Sequence, residues 1–422
     1  MSQWYRIDNT GKIFHAVSSS SNSAVFRVSM VLTEMIDPVI LQDALDVVAT
    51  RFPSLMLRVR KGLFWDFLEQ NDAILEVKKE TDYPCAPIER QENNAYLIRV
   101  LYFNNRISVE VFHSLTDGGG AEAFIKTLTY QYLKLKGNEL TPDESIMLPS
   151  EEPLDEEVED SFVRYATDSR LKGLSAKDPK SYQILGTPLS PRGINLVQGQ
   201  MASKALNTYA KSRGTSLTGL LTSVLIQTIF QQRHGINESE IVTVAIPVSL
   251  RKAFPSRTIR NFFSVSNISV RVTEETSMDD IIKEVTDQLI QKTEKSYLQE
   301  GIDRFFSFQK NPFLRIVPVF IKYPIMRFAF NWAGESRKTL TLTNLGNVKL
   351  PDSMRPYVKY MDIVLYPTKK SPINCGVATV NDTITITFAR AIEENDLIKE
   401  FFKNISHMTG LKVTVQSNEW GE

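Results

Sequence analysis

Residues 96–135, "YLIRVLYFNNRISVEVFHSLTDGGGAEAFIKTLTYQYLKL", constrain this chain more than any other stretch. Two alternating runs flank Asn104-Asn105, and asparagine tolerates the left-handed backbone of a tight hairpin. Ile107, Val109 and Val111 project to one face; Ser108, Glu110 and Phe112 project to the other. The second strand exits at His113, and a turn with Asp117 and three glycines follows. Phe124, Ile125, Leu128 and Tyr132 then mark one apolar face at helical spacing. The stretch therefore predicts a strand–turn–helix junction with a histidine at the strand's end.

The elements around it follow the same grammar. "VFRVSMVL" (25–32) alternates as a strand. Asp37 caps a helix that opens with Pro38 and buries Leu41, Leu45, Val48 and Phe52. Short strand-like pieces follow in "LMLRVRKGLFWDFLE" and "ILEVKKE". Residues 141–160 hold nine acidic side chains and no basic one, which predicts a solvated crossover burying no face. Beyond it, 202–235 reads as two helical stretches around Gly214, and "EIVTVAIPVSLR" and "FFSVSNISVRV" as strands. A single amphipathic helix capped by Ser277 is expected over 276–301. "TLTLTNLGNVKLP", "VKYMDIVLYP" and "CGVATVNDTITITFAR" supply further strands before a last helix in "ENDLIKEFFKNISHMTG". The pattern is α+β, with halves alike in element order but not in sequence.

A chain of 422 residues exceeds one ordinary core. We divide it into an N-terminal subdomain (1–165), a crossover linker (166–190) and a C-terminal subdomain (191–422). Lys and Arg number 49 and so do Asp and Glu, so no basic surplus points to nucleic acid. Cys85 and Cys375 stand in no metal or disulfide pattern and read as free thiols of a reducing compartment. The N-terminus shows no signal peptide, and the expected location is cytoplasmic. The apolar stretch "PFLRIVPVFIKYPIMRFAFNWAG" (312–334) carries Arg315, Lys322, Arg327 and three prolines, so it does not span a membrane. It reads as a buried or rim helix, or alternatively as an apolar wall for a greasy substrate or a membrane-surface contact.

His113 is the residue that carries chemistry. A histidine at a strand's end, fixed by a glycine turn, sits on a rigid support, and neutral imidazole near pH 7 is a general base for a hydroxyl or amine proton. Gly118, Gly119 and Gly120 permit the positive φ and the close backbone approach that a tight turn into a helix requires. The competing reading is a tight turn with a solvated histidine. His15, beside the Ser-rich "AVSSSSNSA", reads as a solvated loop residue. His234 reads as a helix C-terminal residue before Gly235, and His407 as a surface or rim residue of the last helix. No histidine has ligand spacing to a Cys, Asp or Glu cluster, and no metal is expected. P-loop, GxGxxG, GxSxG and HExxH motifs are absent.

"HSLTDGGG" resembles the HxxxDG motif of the CoA-dependent acyltransferase superfamily, which includes chloramphenicol acetyltransferase, plant BAHD acyltransferases and peptide-synthetase condensation domains. Three other segments resemble the same family: "IDPVILQDALDVVATRFPSLMLRV" (36–59), "IPVSLRKAFPSRTIRNFFS" (246–264) and "LTNLGNV" (342–348). The resemblance spans nearly the whole chain and is closest to the bacterial alcohol acetyltransferase-like branch. Phe112 precedes His113 where condensation domains carry a second histidine, the plant "DFGWG" segment is absent, and Thr343 replaces the commoner serine.

The resemblance implies two chloramphenicol-acetyltransferase-like subdomains with mixed sheets and a tunnel between them. His113 would be the base, Asp117 and Gly118 its motif partners, and Arg251 the structural partner of Asp117. Thr341, Thr343 and Asn344 would be substrate- or oxyanion-orienting candidates. Arg251 reads alternatively as a surface cation, and the threonines as ordinary sheet residues. The implied reaction moves an acetyl or other short acyl group from acyl-CoA, a cosubstrate rather than a bound cofactor, to the hydroxyl of a small apolar acceptor. The implied enzyme is a monomer. The alternatives are an amide-forming or carrier-protein-dependent condensation, and a catalytically silent binding relative.

Overall fold

Asn104 takes a φ of 50° in the hairpin turn, and the strands on either side of it pair in register from Ile98–Val111 to Phe103–Arg106. In the computed structural model, which describes residues 4–19, 22–167, 179–233, 241–310 and 317–418, this hairpin lies inside a larger sheet. The first half runs β1 (Trp4–Arg6), α1 (Asn9–Val17), β2 (Val25–Leu32), α2 (Pro38–Arg51), β3 (Leu57–Arg60), β4 (Phe67–Gln70), β5 (Val77–Lys79), β6 (Ile98–Phe103), β7 (Arg106–Phe112) and α3 (Gly118–Leu135). Two short helices follow, α4 (Asp155–Val158) and α5 (Ser161–Tyr165). The second half runs β8 (Asn195–Ala202), α6 (Ser203–Ser212), α7 (Leu217–Gln231), β9 (Ile241–Ser249), β10 (Phe263–Arg271), α8 (Met278–Thr293), α9 (Lys295–Lys310) and α10 (Val319–Ala333). It ends with β11 (Leu340–Asn347), β12 (Val358–Val364), β13 (Ile373–Val380), β14 (Thr383–Arg390), α11 (Asp396–Thr409) and β15 (Thr414–Asn418).

Two mixed sheets organise these elements. The first has the order β12-β2-β7-β6-β5, antiparallel except for the parallel β5–β6 pair. The second has the order β10-β9-β11-β13-β14-β8-β15, with β11 parallel to both neighbours. A small sheet, β1-β4-β3, flanks the first. The architecture is α+β with two subdomain-sized sheets, each backed by helices and each with its own apolar core. One core gathers Phe26, Val28, Leu41, Leu45, Val48, Val109, Phe124 and Leu128; the other gathers Leu221, Leu225, Val244, Ile268, Leu342, Ile386 and Phe401.

Strand β12 comes from the second half yet forms the outer edge of the first sheet, paired antiparallel with β2. It also packs against β13 and β14 of the second sheet. The approach is close: a Cβ at Gly376 would stand 2.1 Å from the Ile363 carbonyl oxygen. Glycine there lets the two sheets meet backbone to backbone.

Two local expectations change. The stretch 276–301 is two helices, broken at Glu294, whose backbone is extended; the Ser277 cap forms as a capping box with Asp280. The acidic crossover does bury a side chain. Glu157 is buried, and its carboxylate takes paired hydrogen bonds from Arg51 at 2.6 and 2.8 Å. A charge so satisfied by a planar guanidinium can leave water, which composition alone does not reveal. The hairpin is covered on both faces. Glu110, on the face opposite Val109, is buried between Arg27 and Arg99 and also accepts from the Cys85 amide.

Candidate active site

β7 delivers His113 to the seam between the halves. The His113 amide donates to the Ala24 carbonyl at 2.8 Å, so the residue is held to β2 one step past the last ladder pair. Its ring is partly buried among aromatics from three elements. Phe14 of α1 stacks on it at 4.0 Å and 11°, Phe26 of β2 lies at 4.7 Å, and Phe263 of β10 at 5.5 Å.

The polar partner of His113 comes from the second half. Nδ1 lies 3.2 Å from Oδ1 of Asn261. The Asn261 amide nitrogen faces the other way, donating to the Asp8 carboxylate at 3.1 Å and to the His113 carbonyl at 3.1 Å. A carboxylate only accepts, so Asp8 fixes which end of the amide meets the imidazole. Oδ1 must then accept, Nδ1 must carry the proton, and the Nε2 lone pair is left open. Burial pushes the His113 imidazole below its ordinary value of 6.5; the Asp117 charge and hydrogen bonds to its own backbone, Asn261 and Thr116 only partly offset this. Nε2 is thus unprotonated at neutral pH. Asp8 itself is raised to about 6, chiefly by burial, with Arg260, Gly11 and Asn261 pulling it back down. The same Asp8 caps α1 through the Gly11 amide at 2.6 Å, which ties the helix carrying Phe14 to the amide that orients His113.

Asp117 is saturated. Oδ1 accepts from the Gly119 and Gly120 amides at 3.0 and 3.2 Å, capping α3. Oδ2 accepts from the Phe262 amide at 2.8 Å. Arg251 adds a paired contact at 2.8 and 3.0 Å and donates further to the Thr258 and Arg260 carbonyls. The carboxylate therefore pins the turn after His113 to the second-half segment that holds Asn261, and it does not point at the imidazole. None of the three glycines takes a positive φ, but Gly120 is required by space. A Cβ at Gly120 would stand 2.1 Å from both the Ile259 carbonyl oxygen and Thr116 Oγ1.

β11 approaches the same turn, since a Cβ at Gly118 would meet Leu345 Cδ2 at 3.0 Å. Asn344 donates to Thr218 Oγ1 at 3.0 Å and accepts from the Gly346 amide at 2.8 Å. Thr341 Oγ1 accepts from Lys338 at 3.3 Å, and Thr343 is buried in the strand. None of these bonds reaches His113.

His15 is not a loop residue. It lies in α1, side chain 13 % exposed, with Nε2 2.8 Å from the Asp66 carboxylate and its ring edge-on to Phe112 and Tyr323. His407 is exposed on α11, and His234 lies outside the described residues. Asn261, Asp8 and Phe14 are the site residues that sequence reasoning missed. Asn261 stands within "RNFFS" but gives no local sign of its partner 148 positions away. Among the described residues no group of three or more His, Cys, Asp or Glu is placed to hold a metal ion, and no helix is long and apolar enough to cross a membrane. A cavity of about 550 Å³ opens on the seam, walled by Ser23 and Tyr83 from the first half and Ile194 and Tyr366 from the second. It begins one residue from Ala24, which holds His113.

No family model and no curated protein matches this sequence. Solved structures do. The first condensation domain of the CDA synthetase aligns over 96 % of each chain, with a TM-score of 0.63 and 11 % identity. TRI3 trichothecene 15-O-acetyltransferase from Fusarium sporotrichioides aligns over 97 % of this chain and 95 % of its own, with a TM-score of 0.61 and 9 % identity. TRI101 of F. graminearum, solved with ethyl coenzyme A, aligns over 98 % of this chain and all of its own, with a TM-score of 0.60 and 11 % identity. The chain therefore has the fold that these acetyltransferases and the condensation domain share.

Proposed function

We propose that this protein is an acyltransferase that moves an acetyl or other short acyl group from acyl-CoA to the hydroxyl of a small apolar acceptor. The observation that carries the reading is the Asp8–Asn261–His113 chain, which leaves Nε2 of a partly buried imidazole as an open base at the seam of the halves. Nε2 takes the acceptor's hydroxyl proton as the oxygen attacks the thioester carbonyl. The carbon–sulfur bond breaks, and the CoA thiolate takes the proton back from the imidazolium. Asp117 and Arg251 act as positioning residues, holding the turn and the Asn261 segment in one frame. Phe14, Phe26 and Phe263 around His113 favour an apolar acceptor over a charged one. The solved acetyltransferases of this fold, one of them holding ethyl coenzyme A, support a CoA donor.

The test is thiol release from acetyl-CoA across a panel of alcohols and amines. Acceptor-dependent release with alcohols, lost in His113→Ala, is the expected result. Release with amines only would replace the ester product by an amide. No release with any acceptor, together with transfer from an acyl carrier protein, would overturn the CoA donor.

A further inference from the structure

Helix α10 is built the wrong way round for a helix that meets water. Its polar side chains Lys322 and Tyr323 face the protein. Lys322 is 2 % exposed, donates to the Phe64 carbonyl at 2.8 Å and lies 3.2 Å from the centre of the Trp65 ring. The Tyr323 hydroxyl donates to Asp66 at 2.9 Å. Its large apolar side chains face out: Phe320 and Phe328 are 71 % and 72 % exposed, Ile321 and Ile325 45 % and 60 %. A surface helix ordinarily does the reverse. The outward face continues onto the tip of the β3–β4 hairpin, where Leu63 and Phe64 are also exposed and the Leu63 carbonyl accepts from the Val319 amide at 3.0 Å. Six neighbouring large apolar side chains exceed the scattered exposure of an ordinary surface.

Charge narrows the occupant. Residues 60–66 and 319–333 contain Arg60, Lys61, Lys322 and Arg327 against one acid, Asp66, which is buried. Arg60, Lys61 and Arg327 are exposed; Arg60 pairs with Glu69 just beyond this stretch, so Lys61 and Arg327 carry the net positive charge of the face. A second copy meeting this face about a twofold axis would set these cations against their own counterparts. A bilayer with anionic headgroups offers the apolar side chains a hydrocarbon boundary and the cations negative charge. We infer that α10 and the β3–β4 tip dock this protein in the plane of an anionic membrane surface. The inference does not depend on the acyl-transfer reading, but it bears on it. Arg327 donates to the Ala16 and Ser18 carbonyls at the end of α1, and α1 carries the Phe14 ring stacked on His113. An apolar acceptor dissolved in the bilayer is therefore one helix away from the candidate base.

The experiment is co-sedimentation of the full chain with phosphatidylcholine vesicles, with and without phosphatidylglycerol. The expected result is binding to the anionic vesicles that falls by about tenfold in Phe320→Ser/Phe328→Ser and severalfold in Lys61→Glu, with thermal midpoints like that of the wild type. Failure of the wild type to bind anionic vesicles would overturn the inference, and so would equal binding by the double variant. Light scattering provides a further check. A dimer dissolved by Phe320→Ser/Phe328→Ser would give the face to a second copy instead. Saturable binding of an acidic carrier protein without vesicle binding would give it to a protein partner. Both of these outcomes overturn the membrane assignment whatever the acyl-transfer assay reads.

Discussion

Two imidazoles stand close together in the first half and engage opposite nitrogens. His113 gives Nδ1 to the neutral amide of Asn261 and keeps Nε2 open. His15 engages Nε2 with the Asp66 carboxylate, and its buried Nδ1 has no hydrogen-bond partner among the described residues. Asp66 also accepts from the Gly62 amide and the Tyr323 hydroxyl. Burial raises the Asp66 carboxyl, but these bonds from His15, Gly62 and Tyr323 outweigh it and hold the group below its ordinary value. The contrast shows how surroundings divide labour between like side chains. An imidazole against a carboxylate becomes a strut joining α1, the β3–β4 hairpin and α10. An imidazole against an amide, in an aromatic setting, stays unprotonated and is the candidate base.

The comparison breaks most sharply if the two histidines are exchanged in importance. His113→Ala should lower kcat/KM by about 10²–10⁴-fold, the range for loss of a general base, with little change in thermal midpoint. A comparable loss in His15→Gln and none in His113→Ala would invert the assignment. Next in size is Asp117→Ala. It strands Arg251 and uncaps α3, so stability should fall by about 3–5 kcal/mol in denaturant titration; a loss under about 1 kcal/mol would mean the pair is not a structural pin.

Asn261→Ala should cost about tenfold in kcat/KM, the worth of one hydrogen bond that selects the tautomer. It sharpens the comparison because the variant's His113, freed of the amide, comes to resemble an ordinary histidine. The pH profile follows from the same site. On the proposed reading the neutral imidazole is the active form, and burial lowers its proton affinity, so kcat/KM should rise with pH along an acid limb centred below the ordinary 6.5 of histidine. Asp8, raised to about 6, must be ionised to orient Asn261 and adds to the same acid limb. A limb centred above pH 7 would sink the base assignment. The smallest effect is expected from His15→Gln, which should change kcat/KM by less than about threefold and lower the thermal midpoint modestly through its lost contact with Asp66.

Much of the frame was legible in the sequence because it is local. The Asn104-Asn105 hairpin, the Asp37 and Ser277 caps and the glycine turn into α3 are each written within a few residues. The opposition of Asp117 and Arg251 came from family resemblance, not from spacing. The remainder depends on long-range meetings. Nothing near Asn261 announces that its amide will lie between Asp8 and His113. Nothing in the acidic run distinguishes Glu157, which meets Arg51, from its solvated neighbours. His15 was misplaced because the serine-rich loop after it suggested solvent, whereas Asp8 caps the preceding residues into a helix. The helix at 319–333 was visible as an apolar stretch with interior charges. Its inverted orientation was not, because only the fold shows that Lys322 points inward.

Strand β12 also sets an order of events during synthesis. The outer strand of the first sheet is made only when translation reaches Val364. Until then β2 offers an open edge to whatever strand is near, the kind of exposure on which nascent chains misassemble. Asn261 and Arg251, too, emerge more than a hundred residues after the histidine and aspartate they meet. The ribosome therefore releases the first half unfinished, and the surroundings of the histidine at its seam are assembled only after most of the second half has been threaded out to join it.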